Sequence, residues 1–167
     1  MATHTFDAQR NRPYAPDYGL EADQTGMLTW GWVSAQMQQA RNYWVATTRP
    51  DGNPHAAPIW GLWHADVFYF GTGATSRKGK NMQRNPNVVI HLESGDETLI
   101  FEGVVSAVTD TALTKTVYAE YGVKYNMTSP EAQAELINSG TLYRLAPRRV
   151  LAWLENDYPR TATRWNF

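Results

Sequence analysis

The chain has 167 residues, 43% of them apolar, a net charge of −1 and no cysteine. That supports one packed domain and argues against disorder, a nucleic-acid surface, disulfides, thiolate metal sites and a cysteine nucleophile. No run is long and apolar enough for a membrane helix, the N-terminus lacks a signal-peptide layout, and the missing cysteines fit a cytoplasmic protein.

Residues 1–28 are polar and punctuated by Pro13, Pro16, Gly19 and Gly26. They read as an extended N-terminal arm, loose or laid on a partner subunit. Thr29 is placed to cap a short helix, "WGWVSAQMQQARN", with Trp32, Val33, Gln36, Met37 and Ala40 at helical spacing. "YWVATTR" then reads as a strand, "PDGN" as a turn and "PHAAPIWGLWH" as the returning strand of a hairpin. Pro54 and Pro58 cannot donate to a ladder, so this returning strand is expected at a sheet edge or bulged.

A turn at Ala65-Asp66 leads into the strand "VFYFGT", and Ser76 starts a short helix that ends at "NPN". "VVIHLES" and "TLIFEGVVSAV" give two more strands around Gly95-Asp96. Helices are expected over 110–121, stopped by Gly122, and over 130–138, where Ser129 caps and Pro130 begins the first turn. "TLYRLA" and "RRVLAWLEN" close as two strands either side of Pro147. Six or seven strands with few helices predict a mainly β protein, a β-barrel with peripheral helices, over residues 29–167 as one domain.

The run "FGTGATSRKGKNMQRNP" is electrostatically odd. A helix N-terminus is already partly positive and disfavours cations, yet Arg77 and Lys78 follow Ser76 at once. Lys80 and Arg84 lie behind them, and no Asp or Glu occurs from Val67 to Leu92. Two readings stand. One is a solvated basic helix face. The other is an anion site, where backbone N–H groups, an Arg fork and a Lys ammonium converge on a phosphate. Gly71, Gly73 and Ala74 leave room for a ligand, and Thr72, Thr75 and Ser76 offer hydroxyls.

The stretch "DGNPHAAPIWGLWHADVFYFGTGATSRKGKNMQRNPNVVIHLE" resembles the core of the pyridoxamine 5′-phosphate oxidase-like flavin and deazaflavin oxidoreductases. The shared pattern is a "DG-x-P" hairpin, a "V-x-F/Y-F" strand, then "S-R-K-x-x-N-x-x-x-N-P" and a strand. "TATRWNF" resembles the tail of a bacterial subgroup. The resemblance implies a six- to seven-stranded split β-barrel of FMN-binding type, usually a homodimer with cofactors in the interface grooves. Carried over by position, Ser76, Arg77 and Lys78 hold the cofactor phosphate. Thr72 and Thr75 contact it nearby, and Asn81 steadies the loop or touches the cofactor. The strand with His55, Ala57, Pro58, Ile59 and Trp60 runs along the flat ring, and Arg164 with Trp165 either closes over a neighbouring subunit's cofactor or anchors the C-terminus.

The implied function is a redox enzyme that moves hydride or electrons to or from a small unsaturated or quinone-like molecule, with FMN as cofactor. True pyridoxamine phosphate oxidases carry an Arg and a Lys on the ring-side strand, where this chain has Ala57 and Leu62. That departure speaks against pyridoxamine phosphate oxidase activity itself and keeps open the deazaflavin coenzyme F-420. A non-catalytic flavin- or heme-binding module is the remaining alternative. No metal site is expected from His4, His55, His64 and His91, whose spacing suits none. Trp60 and Trp63 are read either as cover for the ring and its pocket or as interface packing.

Overall fold

The computed structural model describes residues 8–20, 22–138 and 140–167. The first seven residues of the arm, His4 among them, lie outside that description. Part of the arm is laid on its own chain. Gln9–Asn11 form β1, which pairs antiparallel with β9 near the C-terminus of the same chain.

Helix α1 spans Trp30–Gln39 and is capped by Thr29, whose side chain accepts from the Trp32 amide. It sends Val33 and Met37 into the core. The strands are β2 (Tyr43–Thr48), β3 (Pro54–Ile59), β4 (Leu62–His64) and β5 (Val67–Thr72), followed by helix α2 (Arg77–Arg84). Next come β6 (Asn87–His91), β7 (Glu97–Ala107), α3 (Thr111–Tyr125) and α4 (Pro130–Asn138). The chain closes with β8 (Thr141–Leu154), α5 (Tyr158–Thr161) and β9 (Thr163–Asn166).

The sheet runs in the order β1-β9-β8-β7-β6-β2-β3, and β5 pairs with both β8 and β4. β8 makes this possible. Thr141–Arg144 pair with β5 on one edge, Arg149–Ala152 pair with β9 on the same route further along, and β7 runs beside both halves. Because β3 and β4 are consecutive in the chain, the sheet curls back on itself without a ladder between its two ends. The result is a mainly antiparallel split barrel, open at Trp60-Gly61.

Three elements differ from their sequence expectation. The returning hairpin strand breaks into β3 and β4, since a Cβ at Gly61 would overlap the Phe68 ring and the chain must turn there without a side chain. Pro147 does not divide β8; a register shift between Glu102 and Gly103 lets Arg148 bulge out and absorbs the missing N–H. Helix α3 passes through Gly122 and ends at Asn126, which adopts the left-handed conformation at φ 59°. β3 is an edge strand, as its prolines predict.

The barrel interior holds Tyr43, Val45, Phe68, Phe70, Ile90, Leu99, Phe101 and Val150. A second apolar cluster covers the outer face of β4, β5 and β8, where Leu62, Tyr69 and Leu142 meet Val117, Tyr118, Tyr121 and Tyr125 of α3. β5 is therefore buried on both faces, which explains its unbroken "VFYF" run.

Candidate functional site

The start of α2 is built by a small hydroxyl network. Ser76 Oγ accepts from the Gly79 amide at 3.1 Å and donates to the Gly73 carbonyl at 2.8 Å, with Thr72 Oγ1 3.1 Å away. A Cβ at Gly79 would run into the Gly73 carbonyl, so the loop closes over the first turn only because this residue is glycine. Ser76 is thus committed to capping. The amides of Arg77 and Lys78 take no partner among the described residues, and neither side chain, nor Lys80 or Arg84, forms an ion pair there. Thr75 and Arg77 are exposed, and Lys78 is half-buried.

Asn81, 1% exposed, points from α2 to β2 and donates through Nδ2 to Thr47 Oγ1 at 3.0 Å. Its Oδ1 is buried with no partner among the described residues. Thr47 Oγ1 in turn lies 3.4 Å from His55 Nδ1 and 3.3 Å from the His55 carbonyl. The sequence alone places Asn81 and His55 on separate elements; Thr47 is the link it does not reveal, because a strand threonine looks like ordinary β-propensity.

A groove of about 540 Å³ opens beside this relay. Ala46, Thr47, Thr48 and Pro54 form one wall, and Arg148, Arg149 and Asn166 the other. Arg149 pairs with Glu102 at 3.3 Å, and Arg148 Nη1 donates to Asn87 Oδ1 at 3.3 Å. Both arginines reach the groove because β8 bulges there.

The ring-side strand divides by face. His55, Ala57 and Ile59 turn inward, whereas Pro58 is exposed. Trp60, at the break after β3, is 42% exposed and stacks on Tyr125 with centroids 4.6 Å apart and planes 10° apart. Trp63, at 7% exposure, packs in the core against Trp30 and Phe101, so it does not cover a ligand. Trp165 also lies in the barrel, 3% exposed and edge-on to Trp30 at 5.7 Å. Arg164 Nε donates to Asn11 Oδ1 at 2.7 Å. Within this chain the pair ties the C-terminus to the barrel and to β1.

Behind Trp60 sits a second cluster that sequence spacing conceals. Lys124 Nζ donates to the Tyr43 hydroxyl at 2.8 Å and to the Gly61 carbonyl at 3.0 Å. Burial first, then the Arg41 charge, lowers its pKa to about 8. Burial, reinforced by Tyr125, pushes the Tyr43 phenol well above its ordinary value. His64 pairs with Glu120 of α3 at 2.8 Å, and His91 lies parallel to the Trp44 ring. Among the described residues no group of three or more His, Asp or Glu is placed to hold a metal. None of their helices is long and apolar enough to cross a membrane.

Comparison with known proteins finds the same architecture elsewhere. A conserved hypothetical protein from Mycobacterium tuberculosis, Rv2991, shares 25% identity over 81% of this chain and 89% of its own, with a TM-score of 0.70. An F420 reductase matches at 22% identity over 70% of this chain and 94% of its own, TM-score 0.55. HutZ, the heme storage protein from Vibrio cholerae, matches at 22% identity over 70% and 88%, TM-score 0.58. The last two likenesses are of fold alone. No curated protein matches the sequence. The family model for pyridoxamine 5′-phosphate oxidase matches residues 33–154, from α1 to the end of β8. With that match lying over the split barrel and its Ser76–Lys78 helix start, the chain belongs to the pyridoxamine 5′-phosphate oxidase family.

Proposed function

We propose that this protein is a flavin-dependent oxidoreductase that binds FMN between the subunits of a homodimer. It transfers hydride or electrons to or from a small unsaturated or quinone-like molecule. The observation that carries the reading is the start of α2: two amides and two cations without partners among the described residues, at one positive helix end. Such a grouping is self-repelling without an anion and convergent with one. The donor set suits a phosphate, with the Arg77 fork, the Lys78 ammonium and the amides of both residues as ligands. Thr72 and Thr75 supply nearby hydroxyls. Asn81 holds Thr47 at the groove wall, and its Oδ1, without a partner among the described residues, is a buried acceptor for an incoming donor.

Bound there, the flavin supplies the redox centre; the chain supplies binding, orientation and water exclusion. The exposed edge of β3 from His55 to Trp60 is the wall along which the ring system lies. Deazaflavin is the second reading, favoured by Ala57 and Leu62: the inward Ala57 and the buried Leu62 bring no charge to the ring-side strand.

The absorption spectrum of the purified protein, followed by titration with FMN and with deazaflavin, decides between them. A colourless protein that takes up neither rejects the enzyme reading. Cofactor binding without turnover, from either a nicotinamide or a reduced deazaflavin donor, makes the protein a carrier. Arg77→Ala and Lys78→Ala should each weaken cofactor binding by about 1 kcal/mol or more, the loss of a charge-assisted hydrogen bond. Unchanged affinity in both variants refutes the phosphate assignment.

A further inference from the structure

The break between β3 and β4, where the ring-side wall ends, carries a further feature. Tyr125 covers one face of Trp60, the planes being nearly parallel. The Arg41 guanidinium lies 5.6 Å from the Trp60 centroid and 5.5 Å from that of Tyr125. A cation so nearly equidistant from both rings of a stack stands beside it, not over the outer face of Trp60. Among the described residues no ring or cation covers that outer face. A groove of about 600 Å³ borders Trp60, lined also by Asn42, Trp44, Pro58, Ile59, Glu93 and Tyr121.

The charges at this spot are unbalanced. Arg41 and Lys124 both lie within 6 Å of the Tyr125 ring centre, at 5.5 and 5.4 Å. Neither has a carboxylate partner among the described residues. Lys124 is spent on Tyr43 and Gly61, whereas the exposed Arg41 side chain has the Trp60 and Tyr125 rings as its partners among the described residues. Arg41 lies in the adjoining hollow, which Asn42 and Glu93 also line, and the Glu93 carboxylate accepts from Asn42 Nδ2 at 3.3 Å.

We propose that the open face of Trp60, with Arg41 beside it, binds a planar conjugated carboxylate. The ring of the ligand stacks on the indole, and its carboxylate takes the guanidinium fork. Calling this ligand the substrate rests on the redox reading above; its binding does not.

The test uses the full chain without added cofactor, titrated calorimetrically with 2-naphthoate and with its uncharged analogue 2-naphthamide. The acid should bind about tenfold more tightly than the amide, as expected for one charge-assisted contact. Arg41→Gln should erase that preference, and Trp60→Leu should weaken both probes about fivefold. Both side chains are solvent-exposed, so the variants keep the fold, checked by an unchanged melting temperature. A preference that survives Arg41→Gln, equal affinity for the two probes, or no binding of either overturns the proposal. The last is the result expected if a second copy of the chain sits over Trp60. Arg77→Ala, titrated with naphthoate and with FMN in parallel, keeps the two sites apart: it should reduce only FMN binding, while Arg41→Gln leaves FMN affinity intact.

Discussion

Gly79 and Ser76 form a single device. The glycine lets the Gly73 carbonyl come close, and the serine ties that carbonyl to the helix amide. Gly79→Ala should therefore destabilise the protein by about 1–3 kcal/mol in urea unfolding, the usual cost of forcing extra volume into a packed site. It should loosen cofactor binding as well, although the residue offers no side chain to a ligand. Lys124 gives a pH signature. Its folded pKa of about 8 lies below the unfolded 10.5, so between these values the unfolded chain holds more protons. Its contribution to stability should accordingly rise with pH across that window, and Lys124→Met should remove the rise. Paired unfolding titrations of the two proteins from pH 7 to 10 measure it; parallel curves contradict the assignment. The Ser76–Lys78 group was legible because its parts are adjacent in sequence. Lys124 and Tyr43 meet across 81 residues, Asn81 and Thr47 across 34, and no local pattern marks such pairs.

At the level of elements, the strands and helices follow their patterns closely, and the misreadings occur where tertiary packing overrides a local breaker. Gly122 looked like a helix stop, yet α3 continues because its Tyr121 and Tyr125 are anchored against β4 and β5. Pro147 looked like a strand boundary, yet one bulge keeps β8 continuous. The opposite happened at Gly61, where an apparently unbroken strand divides. Its amide donates to the Tyr125 hydroxyl at 3.0 Å, and its carbonyl accepts from Lys124. Gly61→Ala, which sets a methyl against Phe68, should lower the melting temperature by several degrees. The same substitution should disturb the Trp60–Tyr125 stack, visible as a change in near-ultraviolet circular dichroism. An unaltered spectrum would show that the break does not hold the stack.

For the molecule as a whole, the aromatic load is divided between purposes that composition cannot separate. Trp30, Trp63 and Trp165 fill the barrel, three tyrosines of α3 cement its outer face, and Trp60 faces solvent. The barrel itself was legible from strand count and turn spacing; its open seam was not, because closure depends on pairings between distant strands. Assembly is the reading to test at this scale. Light scattering should report a dimer for the wild type. Ala46→Arg, which places a charge in the groove walled by Thr47, Pro54 and Arg149, should give a monomer with weakened FMN binding. A monomeric wild type that still binds FMN would remove the dimer from the proposed function.

The prolines of β3 have a consequence for encounters between molecules. β3 ends the sheet, and its far edge meets no strand among the described residues. Pro54 and Pro58 share the alternation of Ala56 opposite β2, so along that edge Ala56 alone retains an N–H to offer. A recruited strand would find one donor where it needs a ladder of them. The seam that gives the barrel its opening is therefore guarded against cross-chain sheet growth. Two copies that meet there must recognise each other through side chains.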